Sequence, residues 1–153
     1  MTPAGWAPAA LVWLQLAATL YLAGLIWCIQ VVHYPLMSEV AAEKFRSFHR
    51  RHSTRIGTIV VLPMVVELVS AVVLALPGAV AAPRWMAPLG LALVLVIWAS
   101  TFGLQVPLHG RLAGGFDAAA HRSLVRSNWI RTAAWTVRVP LVIALAAAAT
   151  RAG

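Results

Sequence analysis

The chain should fold as an all-α membrane protein, a four-transmembrane-helix bundle of two pseudo-repeated helical hairpins, with short cytoplasmic amphipathic helices between the spans. Three observations predict this. Hydrophobic residues make up 61% of the 153 and charged residues 10%, against roughly 45–50% and about 25% in soluble domains. The apolar residues gather in blocks long enough to cross ~30 Å of hydrocarbon, which takes about 20 helical residues. The short alternating segments of a membrane barrel do not occur. Finally, the chain matches itself at an offset of 76 residues, where His33 meets His109, Arg46-Ser47 meets Arg122-Ser123, Arg50 meets Arg126, Arg55 meets Arg131 and His52 meets Asn128. Gln30 and Gln105, and Pro63 and Pro140, agree to within one residue. The whole chain reads as one integral membrane domain with halves near residues 1–76 and 77–153.

The first membrane helix should run over residues 8–34, because Pro35 disfavours helix at the residue before it. Residues 37–54 read as a short amphipathic helix, with Val40, Phe45 and Phe48 toward the membrane and Glu39, Glu43, Lys44, Arg46 and Arg50 toward water. The second membrane helix covers 55–76, with Pro63 inside it and Pro77-Gly78 at its end. Pro83 and Pro88 mark a loop, and the third helix follows over 89–106. Gly114-Gly115 is a second loop, 116–127 a second amphipathic helix, and 128–150 the fourth membrane helix, with Pro140 inside.

The net charge of +8 and the isoelectric point near 11.6 fit membrane topology better than nucleic acid, since no aromatic-interleaved basic patch accompanies them. Cations flanking membrane helices mark the cytoplasmic side. Lys44, Arg46, Arg50, Arg51, Arg55, Arg111, Arg122, Arg126, Arg131 and Arg138 stand on one side, and only Arg84 and Arg151 on the other. Both termini should therefore lie outside, in a multi-pass protein of a bacterial inner membrane. Trp6, Trp13 and Trp85 suit the outer interface and Trp129 the inner one. Cys28 is the lone cysteine, so no intrachain disulfide can form, and a small packing role is expected of it. The expected partners are the bilayer and a small apolar or amphipathic ligand, with self-association left open.

Polar groups at membrane depth are costly unless they face the bundle interior. Trp27, Gln30 and His33 share one face of a regular helix, as do Trp98, Phe102, Gln105 and His109. Both faces should point inward, with His33, His109, Gln30 and Gln105 as candidate catalytic residues in one cavity, and His52 and Asn128 around it. Interhelical hydrogen bonding is the competing reading. His33, His49, His52 and His109 could supply imidazoles to a transition metal or haem, or be solvated loop residues. His121, among Arg122 and Arg126, reads as surface. Glu67 and Arg138 are the deepest charges and should pair. Arg131, Trp135 and Arg138 share a face that could bind an anionic group, although Arg131 could equally snorkel to the headgroups.

The runs Gln105-Val106-Pro107-Leu108-His109 and Asn128-Trp129-Ile130-Arg131-Thr132, with Trp135 and Arg138 beyond, resemble small bacterial four-helix membrane proteins of unknown function. More distantly they resemble the anthrone-oxygenase-like membrane family. That resemblance spans the last third of the chain and implies an oxygenase of polycyclic phenolic substrates. Three functions are thus carried forward: an oxidoreductase or oxygenase using the His/Gln cluster, a small-solute or proton transporter using Glu67 and Arg138, and a non-catalytic membrane component.

Overall fold

Four long apolar helices dominate the computed structural model, which describes residues 6–151. Helix α1 (Trp6–Cys28) does not stop at Tyr34. It passes through a π-turn, Ile29–His33, one further α-turn, Tyr34–Leu36, and a 3₁₀ turn, Met37–Glu39. Helix α2 spans Ala42–Leu74 without a break. Helix α3 (Met86–Ser100) leads through a second π-turn, Thr101–Gln105, into α4 (Val106–Ala113), and α5 runs from Ala118 to Arg151. No strand occurs among the described residues. Each of the four spans is long and apolar enough to cross a membrane, so the protein is a multi-pass membrane bundle. The side chain of Trp6 lies outside the described residues.

The amphipathic segments do not form separate helices. Residues 42–54 and 118–127 are the opening turns of α2 and α5. Nothing between Ala42 and the apolar part of α2 breaks helix, and no proline or glycine interrupts residues 118–139, so each helix runs on from the wet segment into the bilayer. Phe45, expected to face lipid, is fully buried instead, edge-on to Phe116 with ring centroids 5.1 Å apart. Asp117 begins α5 by accepting the backbone N–H groups of Ala119 and Ala120. The Ala120 N–H, then Arg111 beside it, hold its carboxyl below the usual carboxylate range. Gly78 supplies the positive φ of 77° that turns the chain after α2.

Each π-turn precedes a proline at the second following position, Pro35 and Pro107. A helical proline offers no N–H and its ring meets the carbonyl four residues back. Those carbonyls belong to Val31 and Gly103, both inside the π-turns. The wider i→i+5 turn takes up the conflict and rotates everything beyond it. The periodic face drawn through residues 27–33 is broken, whereas Trp98, Phe102, Gln105 and His109 still share one cavity. Trp27 points outward, edge-on to Trp129 at 5.6 Å, and Phe102 lies at the exposed rim of that cavity. Cys28 is exposed as well, rather than packed.

The core has two parts. The larger gathers Leu22, Ile26, Tyr34, Met37, Phe45, Ile97, Leu112, Leu124 and Trp135 at the basic end, and the smaller gathers Val12, Leu74, Leu145 and Ala146 at the other. Between them a polar knot closes the bundle. Arg138 Nε donates to Glu67 Oε1 at 3.0 Å, and its other nitrogens reach the Gly90 carbonyl and Thr19 Oγ1. Glu67 also accepts Thr19 Oγ1–H at 2.7 Å and Trp135 Nε1–H at 3.0 Å. The expected pair is therefore present, fully buried, with each partner further satisfied by neighbours.

Candidate functional site

A cavity of about 310 Å³ lies between α1, α2, α3 and α5 toward the basic end. Its walls are apolar and aromatic, including Leu22, Ile26, Met64, Trp98, Phe102 and Trp135. Its polar residues are Tyr34, His52, Thr101, Gln105, His109 and Arg131. This volume sits at the lower end of the range for small-molecule sites, and an apolar wall with a few placed polar groups is their usual make-up.

Arg131 dominates the polar end. It is 8% exposed, so it does not snorkel. Its Nε donates to Asn128 Oδ1 at 2.9 Å, and its other nitrogens approach Asn128, Thr101 Oγ1 and the Tyr34 hydroxyl. Asn128 is held in turn: its Nδ2 donates to Gln30 Oε1 at 2.7 Å, and Gln30 Nε2 donates to the Val125 carbonyl. The salt bridges among the described residues are Arg111–Asp117 and Arg138–Glu67. Arg131 thus has three kinds of hydrogen-bonding neighbour and no carboxylate.

A chain of hydrogen bonds leaves this end of the cavity. The guanidinium has only N–H groups, so its 3.5 Å approach makes the Tyr34 oxygen an acceptor. The Tyr34 hydroxyl lies 3.0 Å from His109 Nε2, and His109 Nδ1 lies 3.1 Å from His49 Nε2; in the tautomer where the phenol O–H donates, His109 Nδ1–H donates onward to His49. Each nitrogen that accepts is unprotonated, so both imidazoles are neutral in this arrangement. His109 and His49 also line a polar groove of about 750 Å³ with Glu43, Arg46, Arg50, Ser53 and Thr54. His109 is therefore common to the apolar cavity and the polar groove.

The expected single cavity holding both His33 and His109 is divided. His109 and His52 line the apolar cavity, whereas His33 lies in an adjoining groove with Phe48, Arg51, His52 and Arg55. His52 stands between, stacked on His33 at 4.3 Å and tilted toward His109 at 5.9 Å. The π-turns are the cause: Pro35 and Pro107 occupy matching positions, which pairs His33 with Gln105 rather than with His109. Gln105 does line the cavity, fixed by Ser100 Oγ–H and Ser127 Oγ. Gln30 and Asn128 stand behind Arg131 rather than in the cavity, and Glu67 and Arg138 form the separate knot.

The four imidazoles gather but do not converge. Among the described residues no group of three His, Cys, Asp or Glu side chains could hold a metal ion. His49 and His109 spend their facing nitrogens on each other, and a stacked pair such as His33 and His52 directs its ring edges past one another. The four imidazoles thus do not form a three-ligand site for a transition-metal ion among the described residues. His121, expected at the surface, is buried, its Nε2 2.7 Å from the Tyr34 carbonyl oxygen. It ties α5 to the turn that carries the phenol.

Tyr34 is the residue that sequence reasoning missed, because a helix ending at Pro35 left it at a helix end. The available signal was the pair His33-Tyr34-Pro35 and Gln105-Val106-Pro107, two prolines in similar settings at the same end of the bundle. No family model, curated protein or solved structure matches the chain.

Proposed function

We propose that the protein binds a lipophilic, planar acid of the phenol or enol type in the bundle cavity and takes a proton from it. The observation that carries this reading is Arg131, a buried guanidinium at the polar end of an apolar cavity with no carboxylate beside it among the described residues. A buried charge is costly unless paired. A ligand oxyanion would complete it, and Trp98, Phe102 and Trp135 suit a flat ring.

His109 lines the cavity and is the candidate base. It can accept the proton directly, or through Tyr34, and pass it by way of His49 to the polar groove. Arg131 would favour the resulting anion electrostatically. Gln30 and Asn128 are positioning residues, since they reach the cavity only by holding Arg131. This chemistry suits the oxygenase that the family resemblance implies. With dioxygen as co-substrate, an acidic ring CH₂ becomes a carbonyl, one oxygen atom enters the ring and the other leaves as water. The site's part would be the first step, making the electron-rich anion.

Transport through Glu67 and Arg138 has less support. Both are sealed from solvent and mutually saturated, and the void near them, about 10 Å³, is at the limit for one water. A purely structural role leaves the Arg131 charge unexplained.

The test uses 4-(trifluoromethyl)phenol and its methyl ether, followed by fluorine NMR with the protein in nanodiscs. The phenol should give a saturable bound signal, and the ether, which cannot ionise, should bind at least about tenfold more weakly, a difference of about 1.4 kcal/mol. Equal binding of the two would reduce the cavity to an apolar void and sink the reading.

We also place both termini outside a bacterial inner membrane. Arg131 and Arg138 are buried and drop out of the charge comparison. The other cations of the basic side, Lys44, Arg46, Arg50, Arg51, Arg55, Arg111, Arg122 and Arg126, are all exposed, against Arg84 and Arg151 opposite. The bias therefore survives. In a Cys28→Ser background, a cysteine at Ala79 should react with an impermeant maleimide in intact cells and one at Ser38 should not. The reverse pattern would invert the topology.

A further inference from the structure

The cavity has a side door. Three of its lining residues are strongly exposed: Val61 at 61%, Phe102 at 60% and Val106 at 52%. Val61 stands on α2, Phe102 in the second π-turn and Val106 at the start of α4, and no strongly exposed lining residue comes from α1 or α5. All three are apolar, and they lie within spans apolar enough to cross the membrane. The cavity therefore opens sideways, between α2 and the α3–α4 segment, where the surroundings are lipid. Gly57, one turn before Val61, also lines the cavity, and a Cβ added there would meet nothing within 4 Å. The polar groove reaches the same site from the other side through His109.

We propose that the ligand enters and leaves laterally from the hydrocarbon, through a mouth bounded by Gly57, Val61, Phe102 and Val106, while protons alone use the polar groove. The proposal rests on the reading that the cavity binds a lipophilic acid, and it adds the route. A ligand drawn from the bilayer arrives already concentrated there and free of water. Its acidic group meets Arg131 and His109 only after the ring has passed the mouth. The substrate class is thereby narrowed to membrane-dissolved molecules rather than soluble phenols.

Exchange of 4-(trifluoromethyl)phenol between bound and bilayer-dissolved states, read from fluorine lineshapes in nanodiscs, tests this. Gly57→Trp should slow exchange by about tenfold or more, within the spread of rates that one site shows on mutation. Val61→Trp, at a strongly exposed position that tolerates bulk, should slow it too and covers the case in which Gly57→Trp misfolds. Ser53→Trp, in the polar groove, should leave exchange unchanged. Slowing by Ser53→Trp with wild-type rates in both mouth variants would move the route to the groove and overturn the proposal, as would identical rates in all four proteins. Absence of any bound signal in the wild type is a different failure, since it removes the binding reading itself.

Discussion

Replacing Glu67 with Gln should lower the stability of the bundle by about 3–5 kcal/mol, because it leaves a buried cation without its counter-charge. The carboxylate accepts three donors, from Arg138, Thr19 and Trp135. A glutamine amide offers one acceptor oxygen and turns an NH₂ toward one of those donors. The added change Arg138→Gln should recover part of the loss, because neither side then carries a stranded charge. Unfolding in mixed detergent gives the four stabilities of the cycle. Additive losses would show that the two residues do not interact. The knot joins α1, α2, α3 and α5 through Thr19, Glu67, Gly90 and Arg138, so its failure should loosen the whole bundle rather than one helix.

Arg131→Gln should act in the opposite sense on stability. Removing a buried charge that has no carboxylate beside it should leave the melting temperature of the ligand-free protein unchanged or higher. The same change should weaken phenol binding by about 2–5 kcal/mol, the usual result of truncating one member of a buried charged contact. A variant that keeps its fold and loses its ligand marks a residue retained for function at some expense to stability. A large fall in melting temperature with unchanged binding would make Arg131 part of the scaffold instead. Gln can still donate to Asn128, so the Gln30–Asn128 contact should survive and the comparison isolates the charge.

The bundle was legible because apolar block length decides what crosses a membrane. The Glu67–Arg138 pair was legible for a related reason, since two lone charges at depth must find each other. The site was half legible. His52, Gln105 and His109 line the cavity as expected, because polar residues in apolar helices turn inward, and Arg131, expected on a separate cationic face, joins them. The errors at Trp27 and His33 share one origin: a period of 3.6 residues does not hold through the turn at Ile29–His33. Pro35 and Pro107 read as helix ends in the sequence and are detours in the fold. The burial of Phe45 and His121 is not legible in either segment alone, because both rings pack on Phe116 in the loop before α5 and His121 also reaches the Tyr34 carbonyl. The dividing role of His52 depends on packing between helices, which no spacing along one helix records.

The two π-turns make the site depend on counting. Were Ile29–His33 to wind as ordinary α-helix with every residue kept, the residue that the wide turn absorbs would instead swing all that follows by about 100°. Tyr34 would leave the cavity, and Arg131 and His109 would lose the hydroxyl between them. Composition, hydropathy and helix content would hardly change. Two chains of this kind, alike in almost every residue but winding that turn as π in one and as α in the other, would share a bundle and not a site.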